Sequence, residues 1–184
     1  MRRWLQEEAH GHILFVQETG VAPGARAEVE QAVRREGWKA SFTEARRTER
    51  GGLSSGVGIV CRAHLGMGKP PAGPALPADR MVARWVNAII PGGFLAVSVY
   101  LVATTSGLDP ESKVLLAQLG QYLTAVQTPY VISGDWNCAP QELERWGWPN
   151  RVSGFVASAG QTTCRVGGGT EIDFSWCPAT WGPP

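Results

Sequence analysis

Short apolar runs recur along this chain between polar or glycine-rich segments, and their length is typical of β-strands. The first run, 13–16, reads Ile-Leu-Phe-Val and is followed at once by Gln17 and Glu18. Such a run predicts a buried strand with polar residues at its exit. Strands are predicted in this way at 13–16, 39–43, 57–61, 81–88, 95–101, 130–132, 152–156 and 171–176.

Two longer segments carry apolar residues at the spacing of a helix. In 25–36 these residues recur at i, i+4 and i+7, and Gly37 ends the segment. A second helix begins at Asp109, a residue type that caps helices, with Pro110 in its first turn. A third, shorter helix is predicted at 142–146.

Strands and helices alternate along the chain, but several neighbouring strands have no helix between them. The two strands on either side of 91–93, for example, are joined only by the turn signal Pro-Gly-Gly. This order predicts a mixed α/β sandwich rather than a purely parallel sheet. The Gly- and Pro-rich stretch 66–77 is expected to be a surface loop within one domain, and 167–169 is expected to be a glycine turn.

Composition narrows the class of protein further. The 184 residues carry 43% hydrophobic side chains and a net charge of +1, from 17 basic and 16 acidic side chains. Bulk charge therefore gives no argument for nucleic-acid binding, and any polyanion site must be local. No Cys-x-x-Cys pair is present among the four cysteines, which argues against zinc. No secretory signal and no membrane span is visible, so we expect a soluble, intracellular protein with no obligate protein partner.

The segment 133–137, Ser-Gly-Asp-Trp-Asn, carries the most specific chemistry in the sequence. It follows a buried strand, and Gly134 is expected to let the backbone turn sharply and approach a ligand. Asp135 then supplies a carboxylate that takes a proton from water or faces a metal. Asn137 would project to the same side if the segment stayed extended, and its carboxamide would donate to a phosphate oxygen. The alternative is an ordinary Asx turn at the end of a strand.

Two further carboxylates stand at candidate strand positions. Glu18 follows the first strand, and a carboxylate on a rigid strand end is a good ligand for a hard cation. Asp173 lies between the apolar residues Ile172 and Phe174, and an inward-facing carboxylate there would need a partner. The alternatives are a solvated residue at the start of a loop for Glu18 and an edge-strand aspartate facing water for Asp173.

Taken in chain order, these motifs resemble the endonuclease/exonuclease/phosphatase, or DNase I-like, superfamily, which includes apurinic-site and retrotransposon endonucleases. The ordered set is strand-Gln-Glu, Gly-Val-Gly-Ile-Val, a Val-Tyr strand, Ser-Gly-Asp-Trp-Asn and Ile-Asp-Phe, over 13–176. The resemblance implies two mixed β-sheets packed as a four-layer α/β/β/α sandwich. It also implies an endonuclease-like hydrolase that cleaves nucleic-acid phosphodiesters with Mg²⁺ or Mn²⁺.

The same resemblance implies a role for each matching residue. Glu18 corresponds to the metal-binding glutamate, and Asp135 to the aspartate that orients or deprotonates the attacking water. Asn137 corresponds to the asparagine that steadies the phosphate, and Tyr100 to a tyrosine that contacts it. Asp173 corresponds to the aspartate that holds the catalytic histidine of the superfamily.

Two family elements have no counterpart in the sequence. No asparagine-bearing strand precedes residue 13, and no Ser-Asp-His motif follows Asp173. His10, His12 and His64 all precede Asp173 and are interpreted as surface or strand-flanking residues. A single domain over 1–184, incomplete at both ends, is therefore expected. Two alternative functions remain open: a catalytically silent remnant that serves as a binding module, and a phosphatase acting on a small-molecule or lipid phosphate.

A cluster of basic residues offers candidate contacts to nucleic acid. The segment 46–52 is expected to be a basic, glycine-ended loop, and Glu44 and Glu49 are interspersed with its arginines. A solvated loop is the alternative. The candidate nucleic-acid-binding residues are Arg46, Arg47, Arg50 and Arg62.

Overall fold

The computed structural model describes residues 11–88, 90–103, 108–158, 163–164 and 171–181. Its strands are β1 Ile13–Val16, β2 Trp38–Phe42, β3 Arg46–Arg47, β4 Leu53–Ser54, β5 Gly58–Arg62, β6 Gly66–Gly68, β7 Met81–Asn87, β8 Phe94–Tyr100, β9 Tyr130–Asp135, β10 Gly154–Ala157 and β11 Asp173–Pro178. Its helices are α1 Arg26–Arg35, α2 Pro110–Val126, α3 Pro140–Arg145 and α4 Trp148–Val152, followed by a 3₁₀ turn, Ala179–Trp181. None of the helices in these ranges is long and apolar enough to cross a membrane.

The strands form two principal sheets. The first is three-stranded and antiparallel, in the order β1-β5-β2. The second is six-stranded, in the order β10-β11-β9-β8-β7-β6. In the second sheet β8 and β9 are parallel neighbours, while the other pairs are antiparallel. The α/β sandwich predicted from the element order is therefore confirmed, with one mixed sheet and one antiparallel sheet in place of the two mixed sheets expected.

The elements stack in four layers, in the order helix, sheet, sheet, helix. An apolar cluster lies between each layer and the next. Between the sheets, Ile59 of β5 packs in one cluster with Val82 and Phe94 of the larger sheet. The outer face of the three-stranded sheet is covered by α1, and the outer face of the six-stranded sheet by α2. Burial of these side chains is the main stabilising contribution. The four-layer α/β/β/α sandwich expected from the motifs is thus confirmed.

Helix α2 begins where the sequence predicts. The Asp109 side chain accepts hydrogen bonds from the backbone N–H groups of Glu111 at 2.8 Å and Ser112 at 3.2 Å. These are two of the donors that the first turn of a helix leaves without an intrahelical partner. The helix ends at Val126, and the following C-cap residue Gln127 has a φ of 46°, in the left-handed region.

Three local predictions differ from the structure. The predicted loop 46–52 contains a small hairpin, because β3 pairs with β4 and the Gly51 N–H donates to Thr48 O at 2.9 Å. The predicted loop 66–77 begins with β6, which pairs with the end of β7. Helix α4 was not predicted from the sequence. The predicted glycine turn 167–169 lies outside the described residues.

Gly134 has a different role from the predicted one. The glycine lies inside β9, and an added Cβ there would overlap the carbonyl oxygen of Val99 and come within 2.8 Å of its carbonyl carbon. Only a residue without a Cβ permits this approach of β9 to β8. Gly134 therefore serves the packing of two strands rather than the approach to a ligand.

Candidate active site

Three neighbouring strands of the larger sheet carry a row of polar side chains at one end. Tyr100 at the end of β8 is the register partner of Asp135 at the end of β9. Asp135 is in turn the partner of Asp173 at the start of β11. Directly paired residues present their side chains on the same face of a sheet. The strand pairing alone thus places one phenol and two carboxylates side by side.

The smaller sheet adds a third carboxylate to this row. Glu18 follows β1, and its Oε1 accepts a hydrogen bond of 2.6 Å from the Tyr100 hydroxyl. One residue earlier, Gln17 Nε2 donates to Ser98 Oγ at 3.1 Å, and Ser98 Oγ donates to Val16 O at 3.4 Å, so three hydrogen bonds join the sheets at this end. Glu18 has a φ of 50°, in the left-handed region that residues with a Cβ rarely adopt. Such conformations are concentrated at functional sites.

The electrostatics of the row centre on Asp135. Burial, reinforced by the charges of Asp173 and Glu18, raises the pKa of Asp135 to about 6. The backbone N–H of Asn137, which donates to Asp135 Oδ1 at 2.9 Å, opposes this rise. Three carboxylates in one place repel one another, and either a proton or a cation relieves the repulsion.

Asn137 does not continue the strand. Its φ of 48° turns the chain, and its backbone hydrogen bond to Asp135 closes an Asx turn, which is the alternative considered for this segment. The carboxamide Nδ2 donates to Leu101 O at 3.0 Å. In this arrangement Asn137 ties the end of β9 to the end of β8 and fixes the orientation of the Asp135 carboxylate.

Tyr100 is positioned as a hydrogen-bond donor. Burial, followed by its hydrogen bond to Glu18, raises the pKa of Tyr100 to about 12. The phenol therefore keeps its proton throughout the physiological range. Its backbone N–H donates to Arg80 O at 3.0 Å, and the Arg80 guanidinium lies 5.3 Å from the centre of its ring.

Arg80 is a candidate site residue that the sequence reasoning missed. Its side chain is only 12% exposed, and its Nε lies 3.4 Å from Glu111 Oε1. That Nε is buried and has no hydrogen-bond partner of acceptable geometry among the described residues. A cation in this position can attract an anionic substrate toward the row. The sequence feature that could have identified Arg80 is its position, immediately before the strand that pairs with the Tyr100 strand.

The four arginines predicted to bind nucleic acid are not brought together. Arg46 is paired with Asp79 at 2.8 Å, near Arg80, while Arg47 and Arg50 are exposed on the β3–β4 hairpin. Arg62 lies at the end of β5 remote from Glu18, with its guanidinium 3.9 Å from the centre of the Trp38 ring. Arg62 is therefore separated from the acidic row by the length of a strand.

The histidines in the described ranges also lie away from the row. His12 precedes β1, whereas Glu18 follows it, and the rings of His12 and His64 are 5.6 Å apart. Asp173 consequently has no histidine neighbour within the part of the chain that the structure describes.

The donor set of the row is suited to a hard cation. Among the described residues, no group of three or more His, Cys, Asp or Glu side chains is close enough to hold a metal ion by itself. Mg²⁺, however, is commonly bound by one or two carboxylates and completes its shell with water and substrate oxygens. Glu18 and Asp135 supply such carboxylates, and their repulsion is what a cation would relieve. The residues thus fit Mg²⁺ better than a fully protein-ligated transition metal.

Comparison with solved structures finds the same fold in proteins of low sequence identity. AP endonuclease LMAP from Leishmania major matches with a TM-score of 0.64 and 14% identity, over 97% of this chain and 73% of the other. An endonuclease/exonuclease/phosphatase from Beutenbergia cavernae matches with a TM-score of 0.52 and 17% identity, over 96% of this chain and 57% of the other. A hairpin-deletion mutant of beta toxin from Staphylococcus aureus matches with a TM-score of 0.57 and 12% identity, over 96% and 76%. No protein-family description and no curated protein matches the sequence.

The fold is therefore that of the endonuclease/exonuclease/phosphatase, or DNase I-like, proteins. The resemblance inferred from the ordered motifs is confirmed at the level of the fold. Because one fold hosts many activities, the function has to be argued from the residues of the site.

Proposed function

We propose that this chain is a Mg²⁺-dependent phosphodiesterase that hydrolyses nucleic-acid phosphodiester bonds. The observation that carries the proposal is the row of Glu18, Tyr100, Asp135 and Asp173, to which both sheets contribute. A row of carboxylates next to a buried arginine is suited to binding a cation and a phosphate at the same place. The endonuclease/exonuclease/phosphatase fold supports the same reaction class.

Each residue of the row has a distinct proposed role. Glu18 holds the cation, and the Tyr100 hydroxyl orients the Glu18 carboxylate by its hydrogen bond. Asp135, with a pKa of about 6, is largely ionised at neutral pH and able to accept a proton from water. A bound Mg²⁺ or Mn²⁺ would supply neutralisation of charge on the phosphate oxygens.

Two further groups support the proposed site. Asn137 keeps Asp135 in place through the Asx turn, and Arg80 offers a second positive charge for the phosphate. Nucleic acid is proposed as the substrate because an AP endonuclease shares the fold over 97% of this chain.

A second function, a binding module without catalysis, is favoured by one observation. Asp173 has no histidine neighbour among the described residues, so the partner that the family motif assigns to it is not seen there. In this case the chain would bind nucleic acid at the row and leave it uncut.

The two functions are distinguished by nicking of supercoiled plasmid. We expect the wild-type chain to nick plasmid when Mg²⁺ or Mn²⁺ is added, and to leave it intact in EDTA. Glu18→Gln keeps the shape of the side chain but removes its charge, so nicking should fall by roughly 10–100-fold at a fixed Mg²⁺ concentration. Plasmid binding without nicking at any metal concentration would support the binding module. Equal nicking by both proteins would contradict the assignment of Glu18.

A smaller effect is expected for Tyr100→Phe. Loss of the 2.6 Å hydrogen bond leaves the Glu18 carboxylate without its orienting donor, so the Mg²⁺ concentration for half-maximal nicking should rise by roughly tenfold or more. Tyr122→Phe is the matched control, because the Tyr122 hydroxyl donates to Pro71 O at 2.7 Å, away from the row. A Mg²⁺ requirement that is unchanged in Tyr100→Phe, or raised equally in both variants, would count against this role.

A further inference from the structure

We propose that a cleft lined by Arg26, Arg46 and Arg84 binds the backbone phosphates of a polynucleotide strand that extends beyond the acidic row. The inference rests on the proposed function and deepens it, because it makes the substrate a polymer rather than a small phosphate ester. Of these three arginines, only Arg46 was predicted from the sequence to bind nucleic acid.

The cleft is lined by residues of β2 and β7 and of the segments next to these strands. Its volume is about 570 Å³, and its apolar wall includes Phe42 and Val82. Two carboxylates also line it, so its three arginines leave a formal charge of +1 in the cleft. Glu44 accepts a hydrogen bond from Gly24 N at 2.8 Å, and Asp79 is paired with Arg46 at 2.8 Å.

Arg84 is the cation in the cleft that most needs an anionic partner. The residue is half-buried in β7, and its Nη1 donates to the backbone carbonyl of Ala83 at 2.8 Å. No carboxylate among the described residues lies within ion-pair distance of this guanidinium. A half-buried cation without a counter-ion is unfavourable unless a ligand supplies the opposite charge.

Arg26 adds to this excess of positive charge. Its side chain is 57% exposed, and its Nε is 4.0 Å from Glu30, the limit of an ion pair. Burial lowers the pKa of Arg84, the negative charge of Glu30 opposes this lowering, and the smaller effect of the Arg26 charge adds to it. Both guanidinium groups line the same cleft, so a phosphate bound there would be attracted by the two charges together.

A chain of contacts connects the cleft with the acidic row. Arg46 lies 3.8 Å from Glu111, which in turn lies 3.4 Å from Arg80 beside the Tyr100 ring. Because a nucleic-acid strand carries a phosphate about every 3.4 Å of its axis, one strand placed at the row would present further phosphates to the cleft. A small phosphate ester has no second phosphate to place in the cleft.

The test is the salt dependence of binding to a labelled single-stranded oligonucleotide, measured in EDTA by fluorescence anisotropy. For the double variant Arg26→Gln and Arg84→Gln, affinity at low salt should fall roughly tenfold. The slope of log Kd against log salt concentration should decrease by about 1.4, or about 0.7 for each phosphate that the variant no longer neutralises.

Hydrolysis of bis(p-nitrophenyl) phosphate should be unchanged, because the row is intact. The control is Arg34→Gln with Arg145→Gln, which removes the same charge at two exposed positions outside the cleft.

Three results would overturn the inference. The first is an equal salt slope for the cleft variant and the control variant, and the second is an equal loss of oligonucleotide affinity in both. The third is a cleft variant that loses binding to phosphatidylglycerol vesicles but keeps its affinity for the oligonucleotide. Circular dichroism on each variant checks that the chain is folded. If the wild-type chain hydrolyses no substrate but binds oligonucleotide through Arg26 and Arg84, the cleft assignment stands and the proposed hydrolase activity falls.

Discussion

Replacing Asp135 by asparagine is expected to remove hydrolysis and, at the same time, to stabilise the metal-free protein near neutral pH. The two effects have one cause. The Asp135 carboxylate is half-buried beside Asp173 and Glu18. Its negative charge lets it accept a proton in the reaction, and the same charge lowers the free energy of unfolding. Asparagine keeps an acceptor oxygen for the Asn137 N–H but carries no charge.

The loss of activity should be large. Asparagine does not accept a proton from water at neutral pH, and a general base contributes about 10²–10⁴-fold to a rate. We therefore expect nicking by Asp135→Asn to fall by at least about 100-fold with saturating Mg²⁺. Nicking within a few-fold of wild type would remove Asp135 from the mechanism.

The sign of the stability effect follows from proton linkage. The pKa of Asp135 rises from 3.8 to about 6 on folding, so between these pH values the folded chain binds more protons than the unfolded chain. The contribution of Asp135 to the free energy of unfolding therefore falls as pH rises through this window, and it stays low above it. Each pKa unit corresponds to about 1.4 kcal/mol, and solvent screening reduces the total to about 1–2 kcal/mol.

Urea unfolding of wild type and Asp135→Asn in EDTA, at several pH values from 4 to 7, measures this contribution. The variant should gain stability relative to wild type as pH rises, with little difference near pH 4. Asp109→Asn is the control, and its stability relative to wild type should change with pH in the opposite direction. Burial pushes the pKa of Asp109 up, but hydrogen bonds from Ser112 and Glu111 hold it below the ordinary value, so its carboxylate stabilises the fold at neutral pH. A pH-independent difference for Asp135→Asn would contradict the linkage.

Much of the fold could be predicted from sequence because its signals are local. Apolar runs of three to eight residues and a capped amphipathic helix depend on neighbours along the chain, and most of these elements appear close to the predicted bounds. The short strands β3, β4 and β6 were missed because each has only two or three residues and is held by main-chain hydrogen bonds, which leave no apolar pattern in the sequence.

The candidate site was predictable only in part, for a related reason. Asp135 and Asn137 are close in sequence, so one motif revealed both. The hydrogen bond between Tyr100 and Glu18 joins residues 82 positions apart, and it exists only because the two sheets pack face to face. Arg80 and Arg84 belong to no motif. Their importance lies in burial of the cation: Arg80 Nε is buried without a hydrogen bond of acceptable geometry, and Arg84 donates only to a backbone carbonyl, which composition does not reveal.

The largest effect on stability is expected for Gly134→Ala. A Cβ at this position would overlap the carbonyl oxygen of Val99 on the neighbouring strand, and backbone atoms in the centre of a sheet cannot move aside. Overpacking of a core costs about 1–3 kcal/mol where side chains can adjust, so we expect a loss of about 3 kcal/mol or more here. Gly68→Ala is the matched control, because a Cβ on that edge-strand glycine meets no atom within 4 Å.

Urea unfolding monitored by tryptophan fluorescence would measure both variants, since Trp136 and Trp176 are fully buried in the core adjoining β9. Gly134→Ala should also lose activity beyond what its folded fraction explains, because β9 places Asp135 beside Tyr100 through the same pairing. Wild-type stability in this variant would mean that β8 and β9 are not paired in this register, and the row that depends on the register would then lose its basis. A destabilised variant with unimpaired activity per folded molecule would instead separate the packing of β9 from the function of Asp135.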